Sequence, residues 1–98
     1  MNEPVFSDDA LRQLRGLRVY DQRRVVDAIR KHLIETDPRQ VTNNKFPLRR
    51  ASEYADYELR VGSLRVFYRL ASDGTVILTL IGVKRGNQLL IEGEEFDL

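Results

Sequence analysis

Hydrophobic positions along this chain recur first at the spacing of helices and then at the spacing of strands. Ala10, Leu11, Leu14 and Leu17 fall on one helical face, and Val25, Val26, Ile29 and Leu33 make a second stripe flanked by Arg23, Arg24, Arg30 and Lys31. Ser7 stands where a helix N-cap is needed, with Asp8 and Asp9 in the first turn, where the helix dipole favours anions. Gly16 interrupts or ends that helix, and Asp21 is the candidate cap for the next. Asp37-Pro38 stops the second helix, because a residue preceding proline is pushed away from helical angles. Two antiparallel helices follow, after a short first strand over Glu3 to Phe6.

Residues 39–56 read as a loop, and from Tyr57 the period falls to two. The segment YELRVGSLRVFYRL holds Gly62-Ser63 as a two-residue hairpin loop, with glycine first because that position requires φ > 0. This turn would pair Val61 with Leu64, Arg60 with Arg65, Leu59 with Val66, Glu58 with Phe67 and Tyr57 with Tyr68. One face then carries Tyr57, Leu59, Val61, Leu64, Val66 and Tyr68, a core face, and the other carries Glu58, Arg60, Arg65, Phe67 and Arg69. Ser72-Asp73-Gly74 turns the chain into Val76–Lys84, whose near-continuous apolar character implies a strand buried on both faces. Leu89 to Ile91 and an acidic tail close the chain. The tail is expected to hairpin with Leu89–Ile91 about Gly93 and cover a sheet edge; a further reading has it lie near the basic face and screen it. The fold class is α+β: two N-terminal antiparallel helices packed on one face of an antiparallel sheet of about four strands. One domain spans residues 1–98, with 86–98 a short acidic C-terminal extension.

Charge sharpens the picture. The net charge of +1 hides a segregation: seven acids lie near the two ends, and all sixteen basic residues lie between positions 10 and 91. Thirteen of the sixteen are arginine, whose planar head pairs with phosphate better than a lysine point charge does, so a nucleic-acid partner is favoured. Arg60 directly opposite Arg65 is repulsive on a sheet unless a counter-charge intervenes. Phosphate is one such counter-charge; Glu58 and Asp56 on the same face are the alternative. Arg69, opposite Asp56, is expected in an ion pair with it. Glu58 is either a general base or a carboxylate that orients the arginines. Lys45, Arg49, Arg50 and Lys84 are candidates to follow an RNA backbone, or else a solvated surface, and Tyr54 is a candidate to stack on a base. His32, the only histidine, reads as a helix-end cation or a core-edge residue. With no cysteine and no second histidine, neither disulfide nor metal is expected, and no cofactor is implied. The longest apolar run, Val76 to Val83, is far too short to span a bilayer, so no membrane partner and a cytoplasmic location are expected.

A helix pair followed by YELRVGSLRVFYRL and a strand running into Gly82-Val83-Lys84-Arg85 resembles the RelE/ParE superfamily of bacterial type II toxins. The resemblance covers Phe6 to about Arg85. It implies a cognate antitoxin partner, with operator DNA contacted only through that antitoxin. In the RelE branch it implies cleavage of messenger RNA on the ribosome, by attack of a ribose 2′-OH on the adjacent phosphate. Arg65 would then hold the scissile phosphate, and Arg60 and Arg85 would neutralise developing charge. The chain departs from that branch at two positions: Glu58 stands where RelE has lysine, and Ile91 falls where a tyrosine is expected as the acid. In the ParE branch the same scaffold implies inhibition of DNA gyrase without RNA cleavage. A degenerate toxin that only binds antitoxin is the third reading.

Overall fold

A computed structural model describes residues 3–98. The chain runs β1 (Val5–Phe6), α1 (Asp8–Gly16), α2 (Val19–Ile29), β2 (Lys45–Pro47), β3 (Tyr57–Val61), β4 (Leu64–Leu70), β5 (Val76–Arg85), β6 (Gln88–Ile91) and β7 (Glu94–Glu95). Strands β2 to β7 lie side by side in chain order, each antiparallel to the next, and β1 joins β5 in parallel. The sheet therefore has seven strands among the described residues, against the expected four or so. The additional ones are β2, which falls inside the stretch 39–56 read as a loop and at three residues is too short to carry a period-two signature, and the β6–β7 hairpin about Gly93, one of the two readings of the tail.

Ser7 caps α1 as anticipated, its hydroxyl accepting from the Ala10 N–H at 3.0 Å. Helix α2 begins two residues before the expected cap. Arg18 occupies the cap position without a side-chain bond to the helix backbone, and Asp21 lies in the first turn. Beyond Ile29 the helix widens into a π-helical turn over Arg30–Ile34, closed by Glu35 N–H to the Arg30 carbonyl at 2.8 Å. This turn leaves carbonyls without helical partners. Thr36 takes that of Lys31 and the Lys45 ammonium that of His32; the ammonium also reaches the Asp37 carbonyl beyond the turn.

The hairpin register agrees pair by pair with the sequence reading, and Gly62 has φ +61° at the first turn position. The β4–β5 ladder slips by one residue, so that Phe67 faces Leu80 and Tyr68 faces Leu78. Thr79 is the extra residue of this bulge, and it inverts the alternation along the rest of β5. Val76, Leu78 and Ile81 consequently share the helix-side core with Ala10, Leu14, Val25, Ile29, Leu33, Leu59, Val66 and Tyr68. On the other side Leu80 joins Ala55, Phe67 and Ile91 in a second core, covered by Leu48, Leu89 and Phe96. Each large apolar side chain so buried favours folding by about 1.5–3 kcal/mol. Between β1 and β6 the edge of β5 has no neighbouring strand, and the buried Gln13 fills in for one, its Oε1 accepting from Ile81 N–H at 2.7 Å.

Candidate functional site

Arg60 and Arg65 do face each other across β3 and β4. The counter-charge between them is the protein's own. Glu58 Oε2 accepts from Arg60 Nε at 2.8 Å and lies 3.7 Å from Arg65 Nε. Arg65 also turns Nη1 back to the carbonyls of Gly62 (2.8 Å) and Leu64 (3.0 Å), and its side chain is only 13% exposed. Burial, then the neighbouring Arg60, hold its guanidinium below the usual value, with Glu58 opposing. The Arg60 head lies over the Phe46 ring, 4.6 Å from its centroid, and is about half exposed. Of the two arginines, only Arg60 is well placed to meet an outside anion.

These residues open onto a cavity of about 240 Å³ lined by Glu58, Arg60, Arg65, Lys84, Glu95 and Asp97, among others. Three cations and three carboxylates share it. The acidic tail reaches this place through a tight β6–β7 hairpin, whose turn residues Glu92 and Gly93 both have positive φ. Phe96 anchors the tail, its N–H bonding the Leu89 carbonyl at 2.9 Å and its ring meeting Tyr54 edge-on at 5.1 Å. Both readings of the tail hold: it extends the sheet edge and it lies against the basic face. Neutralising it with Glu95→Gln and Asp97→Asn changes the cavity by two charges. Binding of a labelled polyanion such as heparin is expected to tighten several-fold at low salt, with a steeper salt dependence by fluorescence anisotropy.

The other candidates divide. Lys84 lies on the face of Arg60 and Arg65 because Arg65 pairs with Gly82, two residues away. Arg85, by the same alternation, belongs to the opposite face and lines a groove with Arg12, Gly16 and Leu17 of the helical layer. It does not converge with Arg65, and the bulge at Thr79 is the reason. Lys45 is fully buried, its Nζ bonded to the carbonyls of His32 and Asp37, the latter at 2.7 Å; it is a strut inside the fold rather than a contact for RNA. Desolvation lowers its pKa, with Asp37 opposing. Tyr54 meets the Phe96 ring edge-on and stays 39% exposed. Arg49 and Arg50 are exposed on the loop between β2 and β3. Arg69 donates to the Glu53 carbonyl at 2.7 Å instead of pairing with Asp56. His32 has a lowered pKa, through burial first and then Lys31 and Lys45, which favours its neutral form.

Sequence reasoning missed the ring of Phe46 beneath Arg60 and the cluster around Tyr20. Tyr20 is 64% exposed, and the guanidinium groups of Arg18 and Arg24 lie over its ring at 5.4 and 5.7 Å. Its signal was there: arginines two residues before and four after an aromatic residue, the second within helical reach.

No helix among the described residues is long and apolar enough to cross a membrane. No curated protein matches this chain. Among solved structures, the RelBE2 toxin–antitoxin complex of Mycobacterium tuberculosis matches with a TM-score of 0.67 at 23% identity, over 84% of this chain and 90% of that one. That likeness establishes the fold. The family model for the ParE toxin of the type II toxin–antitoxin system, parDE, matches residues 5–89, nearly the whole chain. With the helix pair, the Gly62-Ser63 hairpin and the long β5 all inside the matched span, the chain belongs to the ParE toxin family of type II toxin–antitoxin systems.

Proposed function

We propose that this toxin acts by binding a protein target, with DNA gyrase as that target, and not by cutting messenger RNA. The observation that carries this reading is the charge balance of the Arg60–Arg65 cavity, where Glu58, Glu95 and Asp97 offset Arg60, Arg65 and Lys84. A nuclease of the RelE kind needs uncompensated positive charge at the phosphate, because a phosphorane is more negative than the diester it forms from. Here Glu58 and the turn carbonyls already occupy Arg65, and Arg85 stands on the far face of the sheet. In this reading Arg60, Glu58 and Arg65 lock the hairpin register instead of performing chemistry.

A cognate antitoxin binds this toxin and neutralises it in this reading, which the likeness to a solved toxin–antitoxin complex supports as far as the partner goes. The test is a supercoiling assay with purified gyrase, relaxed plasmid and stoichiometric toxin. Supercoiling is expected to fail with toxin and to return when antitoxin is added. Undiminished supercoiling at a large excess of folded toxin contradicts the proposal.

A further inference from the structure

Val19 and Tyr20 open α2 side by side, 61% and 64% exposed, and neither belongs to a core. Their surroundings are organised. Asp21 holds Arg18 through Nε at 2.8 Å and Arg24 through Nη1 at 3.3 Å, and both guanidinium groups lie over the Tyr20 ring. Arg24 is backed from behind by the β3–β4 turn, where a β-carbon on Gly62 would collide with its Nη2. A knob of this kind loses little side-chain freedom on binding, because its geometry is already held. Tyrosine and arginine are also the side chains in which binding energy concentrates at protein interfaces.

The charge around the knob selects its partner. Residues 12–31 contain seven basic side chains and two acids, both of them already in ion pairs with arginines of the same stretch. An anionic surface is therefore the complement. Guanidinium groups already lie over the Tyr20 ring, and Val19 has nothing with which to pair or stack on a nucleotide. An apolar pair ringed by arginines fits a protein face that offers a shallow apolar pocket bordered by carboxylates.

We infer that the first turn of α2 is the surface by which the toxin docks on an acidic protein face of its target, with Tyr20 and Val19 as apolar anchors and Arg18 as the electrostatic contact. The inference rests on the protein-binding reading above. The experiment compares wild type with Tyr20→Ala and Arg18→Glu in two assays, growth arrest on expression and inhibition of purified gyrase, with thermal melting as the control. Both residues are exposed, so melting temperatures are expected to stay within a few degrees of wild type. Tyr20→Ala is expected to raise the toxin concentration for half-inhibition at least tenfold, and Arg18→Glu to do the same with the larger loss at low salt. Both variants are expected to lose growth arrest.

A folded Tyr20→Ala toxin that arrests growth as wild type does overturns the inference, whatever the target. If wild type arrests growth without touching supercoiling and Tyr20→Ala does not arrest, the docking surface stands and gyrase is the wrong target. A labelled single-stranded RNA that binds wild type and not Tyr20→Ala also overturns the inference, because the knob then serves a nucleic acid.

Discussion

Lys45→Ala is expected to destabilise the toxin by about 3–5 kcal/mol, a large share of the roughly 5–15 kcal/mol that holds a domain of this size together. Two losses combine. The first is packing: Lys45 is fully buried, so truncation leaves a cavity under β2. The second is polar: the His32 carbonyl, inside the π-helical turn, loses its donor where no helical N–H replaces it, and the Asp37 carbonyl is left with Gln40 N–H alone. A drop in melting temperature of roughly 10–25 °C should follow, read by circular dichroism. Lys84→Ala, an exposed side chain, is the control and should melt like wild type. Were Lys45 a surface contact for RNA, the two variants would be equally stable. A Lys45→Ala protein that melts with wild type rejects the buried strut.

The second large effect is at Gly82. A β-carbon there would meet the Leu90 carbonyl oxygen at 2.6 Å and Ile91 Cδ1 at the same distance. The first is backbone of β6 and cannot swing aside, so a side chain at position 82 must push β6 away from β5. Gly82→Val is expected to cost about 1–3 kcal/mol by overpacking. Because β6 carries β7 and the Phe96 anchor, the damage should reach the second core. Hydrogen exchange should show lost protection at Leu90, which pairs with Val83 of β5, and at Phe96, whose N–H bonds the Leu89 carbonyl, while the β3–β4 ladder stays protected. Gly16→Ala has open space around it at the end of α1 and should be neutral or slightly stabilising. Equal exchange in wild type and Gly82→Val contradicts this account of how the tail is held.

How far the sequence could be read depended on the range of the interactions. Ser7 and the Gly62-Ser63 hairpin were legible because each is set by a few adjacent residues: a cap by one hydroxyl, a register by one two-residue turn. The bulge at Thr79 was not, because a bulge depends on how two ladders meet. That single residue moved Arg85 to the face away from Arg65 and left Lys84 beside it. Lys45 misled for a different reason. Charged residues are rarely interior, and only the π-helical turn thirteen residues upstream creates the carbonyl that takes its ammonium. Tyr20 was overlooked because it lies off the apolar stripe of α2, and a search for core positions passes over an exposed aromatic residue.

The pairing of Arg60 with Arg65 is legible in the sequence, and so are its two candidate counter-charges, phosphate and Glu58; the structure places Glu58 between them. A like-charged pair requires a counter-charge, and Glu58 two residues away was always in reach. The acidic tail then completes the balance in the same cavity. Those arginines are consistent with architecture, and the exposed knob on α2 with contact.

One measurement bears most directly on whether this toxin binds or cuts. A defined message is translated in a bacterial extract with folded toxin, and its 5′ ends are mapped by primer extension. The account predicts an intact message, with the same ends for wild type and Arg65→Ala. Discrete breaks at the codon in the ribosomal A site, present with wild type and absent with Arg65→Ala, would contradict it.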